Sequence, residues 1–233
     1  MTFPVAQSQL SLVKGGTPIL IDAYQPEAIG RRFPAVIGLH GSGGGHDAMA
    51  ATAKPLAAEG FAVFVPHYFD RTGTTVADKA SSIRNFPLWM KALWDVTSLI
   101  ADESAVDPDR IGILGFSLGG YLATSLAAID PRVKAAVEFS GGFPREMKLL
   151  VRRLPPTLII HGEVDDVIPV SEAHHLQELL TSKHISHEIQ IYPGEGHHFA
   201  TEARGDADRR TIAFFKKHLA PTDGSGTFSP TGS

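Results

Sequence analysis

The chain has 233 residues, a formal net charge of −4, 43% hydrophobic residues and 20% charged residues. Those proportions describe an ordinary soluble globular protein with one sizeable core, and they exclude a disordered chain. Cysteine is absent, which rules out disulfides, thiolate catalysis and Cys-ligated metal sites. No long basic run is present, so nucleic acid is not an expected partner. The opening MTFPVAQSQL has neither a basic nor an apolar region of the kind a secretion signal needs, and no segment reaches the roughly 18 apolar residues of a membrane span. A cytoplasmic protein with no membrane association is expected. Nothing in the sequence specifies an oligomeric state.

Taken in chain order, Gln9 to Val13 and Thr17 to Ala23 are short strand-like runs around Lys14-Gly15-Gly16, the pattern of a hairpin. PAVIGLHG, residues 34–41, is an apolar strand that runs into glycines. Asp47 to Glu59 predicts a helix stopped by Gly60, and FAVFVP (61–66) predicts the next strand. From His67 to about Asn85 the polarity is mixed, as in an excursion over a sheet edge. Phe86 to Ala101 has a helical pattern. RIGILGF is a buried strand, Leu118 to Ile129 a helix, and VKAAVEFS (133–140) a strand. TLIIHG (157–162), Ser171 to Leu180, HEIQIYP (187–193) and Asp206 to Leu219 continue the alternation of strand and helix. Such alternation implies a mostly parallel sheet flanked by helices on both faces, a three-layer α/β sandwich. Ligands then sit at the carboxyl ends of the strands. One domain spanning residues 1–220 is expected. The Gly/Ser/Thr/Pro-rich residues 221–233 are expected to form a mobile tail.

Gly115-Phe116-Ser117-Leu118-Gly119 is a G-x-S-x-G sequence between a predicted strand and a predicted helix. A serine on so sharp a turn takes a strained backbone conformation. Small residues two before and two after it prevent side-chain collisions, and Gly120 extends that small surface. The free N–H groups at the start of the helix favour developing negative charge. Ser117 is therefore the candidate nucleophile.

A serine hydroxyl needs a neighbouring base to act at neutral pH. Among 11 histidines, His197 lies in the Tyr192-Pro193-Gly194-Glu195-Gly196-His197-His198-Phe199 loop, between the last predicted strand and the last helix. It is the candidate general base, with its neighbour His198 as the rival. The third member is a carboxylate that fixes the imidazole tautomer. Asp165 and Asp166 both follow the buried strand ending at His161-Gly162. The chain order Ser117, Asp165, His197 is that of α/β-hydrolases. No ligand set near the aspartates supports a metal, and no phosphate-binding glycine motif supports a nucleotide. No cofactor is expected. Leu39-His40-Gly41-Ser42-Gly43-Gly44-Gly45 offers a loop whose amides can approach a ligand closely. The amides of Leu118 and Ser42 are the candidate oxyanion donors, with Gly43 as an alternative.

LHGSGG, FAVFVPHYFDRTGT, GFSLGG, HGEVDDVIP and YPGEGHHF together resemble the dienelactone hydrolase family of the α/β-hydrolase superfamily, over roughly residues 10–219. The resemblance implies the α/β-hydrolase fold. It places the family aspartate, four residues before a proline, at Asp165, with Pro169 as that proline. It places the family histidine at His197. Members that open dienelactones use cysteine as nucleophile and carry a glutamate in the early loop. This chain has Ser117 at the nucleophile position and no glutamate in LHGSGG. The expected activity is therefore that of a serine carboxylesterase working through an acyl-enzyme. Its expected partner is a small-molecule ester or lactone. Lactone hydrolysis, peptide hydrolysis and non-catalytic binding are the alternatives. Tyr68, Arg71 and Phe143 are expected to line the substrate pocket, Arg71 serving either an anionic substrate group or as a loop anchor. No inserted cap domain fits the length, so the acyl pocket is expected to be small and open.

Overall fold

The computed structural model describes residues 2–28 and 30–220. The expected tail at 221–233 lies outside them. Eight strands form one sheet: β1 (Val5–Leu12), β2 (Ile19–Pro26), β3 (Phe33–Leu39), β4 (Ala62–Pro66), β5 (Val106–Phe116), β6 (Val133–Phe139), β7 (Thr157–Gly162) and β8 (His187–Tyr192). Their spatial order is β1-β2-β4-β3-β5-β6-β7-β8. The β1–β2 and β2–β4 pairs are antiparallel, and every other pair is parallel. Helices α1 (His46–Ala58), α2 (Lys79–Ala101), α3 (Leu118–Ile129), α4 (Ser171–Ser182) and α5 (Thr201–His218) cover the two faces. This is the three-layer α/β sandwich expected from the alternation of elements, with the α/β-hydrolase arrangement that the family resemblance implies.

The central strands are apolar on both sides because both sides are covered. Ala62–Pro66 is buried throughout, as is Ile111–Gly115 within β5. One core layer joins Ile37, Ile113, Leu122, Ala136 and Ile159 to the inner faces of α2, α3 and α4. The opposite layer joins Val36, Leu114, Val137 and Ile160 to Leu56 of α1 and Phe215 of α5. Each fully buried large side chain contributes roughly 1.5–3 kcal/mol. The edge strand β1 is the exception. Its VAQSQLSL sequence is mostly exposed, and its polar side chains discourage pairing with another sheet.

Four elements begin several residues earlier than expected, among them β5, which starts at Val106 ahead of Arg110. Strand β1 begins at Val5, because its polar outer face hides the alternation. Helix α2 begins at Lys79, seven residues before Phe86, and runs through Pro87. Its start is set by Asp78, whose side chain accepts the Ser81 amide at 2.8 Å as an N-cap. Helix α5 begins at Thr201 and runs through Gly205, a residue that weakens a helical pattern without ending it. Trp89 is fully buried on α2 while Trp94 is 38% exposed, as five-residue spacing on a helix requires.

Candidate active site

β3 lies between β4 and β5, so the chain winds away in both directions from β3. The carboxyl ends of β3 and β5 flank the crevice that such a reversal opens. Four chain segments converge there: the loops after β3, β5, β7 and β8.

Ser117 joins β5 to α3 with φ 56° and ψ −122°, a conformation that L residues rarely adopt. The surrounding glycines are steric necessities. A Cβ at Gly115 would overlap the carbonyl of Gly119, and a Cβ at Gly119 would overlap the carbonyls of Leu39 and His40. The turn is tied to the sheet by the Ser117 amide, which donates to the Phe139 carbonyl at 2.9 Å. It is tied to the helix by the Gly120 amide, which donates to the Ser117 carbonyl at 2.8 Å.

His197 Nε2 lies 3.1 Å from Ser117 Oγ, and His197 Nδ1 lies 2.8 Å from Asp165 Oδ2. Asp165 and His197 are both buried, whereas Asp166 and His198 are exposed. Burial thus separates each pair of sequence neighbours. Asp165 Oδ1 accepts the amides of Val167 and Ile168 at 2.9 and 2.8 Å, which fixes the carboxylate so that Oδ2 faces the imidazole. Since Asp165 accepts from Nδ1–H, Nε2 is left as the lone pair aimed at the serine hydroxyl. Phe116 packs against both His197 and His198, with ring centroids 5.0 and 5.3 Å away.

His161 is a neighbour that sequence reasoning did not single out. It is fully buried, its Nε2–H donates to the Ile168 carbonyl at 2.8 Å, and Nε2 lies 3.4 Å from Asp165 Oδ2. Burial holds its pKa below the usual histidine value, against the pull of the Ile168 bond and the Asp165 charge. Its signal in the sequence was a histidine at the end of an otherwise apolar strand.

The loop after β3 packs onto the nucleophile turn. A Cβ at Gly41 would lie 3.2 Å from the Ser117 Cβ. His40 Nδ1–H donates to the Gly41 carbonyl at 2.9 Å, and the Gly44 amide donates to the same carbonyl at 3.1 Å. These bonds fix the plane of the Gly41–Ser42 peptide, and a trans peptide directs the Ser42 N–H away from that carbonyl. The Ser42 carbonyl accepts the Ala77 amide at 2.8 Å. Among the described residues, neither the Ser42 nor the Leu118 amide donates to a backbone carbonyl.

The three residues expected to line the pocket are placed differently from that expectation. Tyr68 is fully buried, with its hydroxyl donating to the His40 carbonyl at 2.8 Å, so it supports the loop after β3 from beneath. Arg71 donates from Nη2 to the Lys14 carbonyl at 2.8 Å and anchors the β1–β2 turn, the second of its two expected roles. Phe143 is buried in the core layer under α3.

A positive-φ serine at a strand–helix turn, hydrogen-bonded to a histidine that is oriented by a buried aspartate, defines a serine hydrolase of the α/β-hydrolase fold. The chain belongs to the dienelactone hydrolase family, whose family model matches residues 21–219. It is 27% identical over 179 residues to the carboxymethylenebutenolidase homolog of Rattus norvegicus, covering 72% of this chain and 71% of the rat protein. Among solved structures, a dienelactone hydrolase-like promiscuous phosphotriesterase from metagenomic libraries superposes with a TM-score of 0.80 at 16% identity, over 92% of this chain and 99% of that one. A Pyrobaculum calidifontis esterase superposes with a TM-score of 0.74 at 21% identity, over 92% of this chain and 86% of that one. At these identities the two structures speak to the fold alone. No helix among the described residues is long and apolar enough to cross a membrane.

Proposed function

We propose that the protein hydrolyses small carboxylic esters, lactones included, through a Ser117 acyl-enzyme. The observation that carries this reading is the 3.1 Å approach of His197 Nε2 to Ser117 Oγ on a strained turn whose flanking amides are free of backbone partners. His197 takes the Ser117 proton as Oγ bonds to the ester carbonyl carbon. The carbonyl π electrons move to oxygen, and the amides of Leu118 and Ser42 receive that charge. Collapse of the tetrahedral intermediate breaks the bond to the leaving oxygen, which takes the proton from His197. Water then repeats the sequence on the acyl-enzyme, releasing the acid and restoring Ser117. Asp165 stabilises the imidazolium in each half. No metal or organic group is required by these steps.

A serine nucleophile favours simple acyl esters over the dienelactones handled by cysteine-bearing members. A serine hydroxyl does not rest as an ion pair with histidine, so it relies on the base within the reaction itself. The decisive experiment combines fluorophosphonate labelling with an ester and lactone panel on wild type and Ser117→Ala. Labelling at Ser117 with turnover of short acyl esters is expected, and both are lost in the variant. A wild type that neither labels nor turns over any panel member would sink the proposal.

A further inference from the structure

Glu138 is the one acidic residue inside the apolar run of β6, and it is fully buried. It pairs across the sheet with Gly115, the first glycine of the nucleophile turn. Its side chain points to the α3 face. There a Cβ at Gly120 would lie 3.4 Å from Glu138 Oε1, and a Cβ at Gly141 would lie 3.0 Å from it. The two glycines leave the space that the carboxyl group occupies. Oε1 accepts the Gly141 amide, and Oε2 is buried without a hydrogen-bond partner. Among the described residues no Lys, Arg or His forms a salt bridge with it.

The segment held by this bond is Ser140–Gly142. It touches the nucleophile directly, since a Cβ on Gly141 would lie 2.7 Å from the Ser117 carbonyl. Ser140 takes φ 49°, a strained value for a serine, so the turn needs external restraint. The Ser140 amide donates to the Ile160 carbonyl at 2.8 Å, and Thr124 Oγ1 of α3 donates to the Gly142 carbonyl at 2.8 Å. Glu138 supplies the central restraint between these two.

We propose that Glu138 is a positioning residue that clamps the Ser140–Gly142 turn against the back of Ser117 and so fixes the nucleophile for attack. The proposal rests on Ser117 being the nucleophile. The clamp works as an uncharged acid, with Oε1 as the carbonyl oxygen and the proton on Oε2. Desolvation, and to a lesser extent the nearby Asp165 charge, push the Glu138 pKa up to about 8 against the pull of the Gly141 bond. The titratable groups that face it are Tyr121 from α3 and Asp165 from the loop after β7. Ionisation would put a second negative charge beside Asp165 with no cation to match it, and the packing that the neutral acid supports would open.

Glu138→Gln keeps an acceptor for Gly141 and stays neutral at all pH values. Glu138→Leu removes the acceptor. Wild type must first label with fluorophosphonate at Ser117; if it does not, the nucleophile reading itself fails. Given labelling, Glu138→Leu is expected to label, and to turn over ester, roughly 10- to 100-fold more slowly with KM within about twofold, the kinetic equivalent of one lost buried hydrogen bond. Glu138→Gln is expected to return to within about threefold of wild type at pH 7. It should also lack the fall in kcat/KM that wild type is expected to show above about pH 8. The proposal is overturned by Leu labelling at the wild-type rate, or by Gln as slow as Leu. Should Leu not fold, a Gln variant that retains the wild-type alkaline fall overturns it.

Discussion

The Tyr68 hydroxyl donates to the His40 carbonyl across 2.8 Å, while the two rings stack with centroids 4.2 Å apart. Phe69 and Trp89 pack behind Tyr68, and Trp89 Nε1–H donates to Thr72 Oγ1 at 2.9 Å. An aromatic wall thus holds His40, and His40 holds the Gly41–Ser42 peptide. Tyr68→Phe removes one hydroxyl and leaves a buried carbonyl unpaired, at about 1–3 kcal/mol of stability. If the hydroxyl places the Ser42 amide, ester turnover falls roughly 10-fold with KM little changed. Steady-state kinetics and urea denaturation measure the two effects separately. Wild-type kcat in the Phe variant would remove Tyr68 from the oxyanion argument.

The contact between the loop after β3 and the nucleophile turn leaves no room at Gly119. Gly119→Ala forces its new methyl group into the carbonyls of Leu39 and His40, both backbone atoms that cannot swing aside. A loss of about 3 kcal/mol or more is expected, together with slow fluorophosphonate labelling. Gly43→Ala is the matched stability control, because nothing lies within 4 Å of its added Cβ. Equal melting temperatures for the two variants would contradict the packing described.

Asp165 and Asp166 separate cleanly by substitution. Asp165→Asn can still accept the Val167 and Ile168 amides, so the loop stays folded. The imidazolium loses its stabilising charge, and kcat is expected to fall about 10³- to 10⁴-fold. Asp166 is exposed, and Asp166→Asn is expected to stay within about twofold of wild type. A large loss in Asp166→Asn would reassign the acid.

Two buried groups give stability opposite pH slopes. Burial pulls the His40 pKa down to about 4, from 6.5. The unfolded chain therefore binds a proton below pH 6.5 that the folded chain refuses until about pH 4. His40 stability is present above 6.5 and drains away as pH falls through that window, on the order of 3 kcal/mol in total. Glu138 runs the other way. Its folded pKa of about 8 exceeds the ordinary 4.5, so its contribution is complete below 4.5 and is lost as pH rises through 8. In urea denaturation across pH 4–9, the stability difference between wild type and His40→Asn should change between pH 4 and 6.5, and that between wild type and Glu138→Gln should change between pH 4.5 and 8. Unchanged slopes in both variants would refute the assignment.

The sequence by itself determined the chemistry-bearing residues that depend on local pattern. A strained turn demands glycines at fixed offsets, and Gly115 and Gly119 announce Ser117 without any knowledge of its surroundings. Strand ends followed by helices place Asp165 and His197 in the right order for the same reason. Tertiary structure decided what depends on contacts across the sheet. Burial chose Asp165 over Asp166 and His197 over His198; the sequence separated the two aspartates only through resemblance to relatives, and it favoured His197 while keeping His198 as the rival. Tyr68 looked like a pocket residue because it follows a strand end, yet its hydroxyl bonds a carbonyl 28 residues away. In the sequence Glu138 is merely one charge within an apolar strand. Its meaning comes from α3 lying above it and from Gly115 lying beside it, neither of which a one-dimensional pattern records. Local backbone geometry is encoded within a few residues, whereas burial and pairing are properties of the whole packed chain.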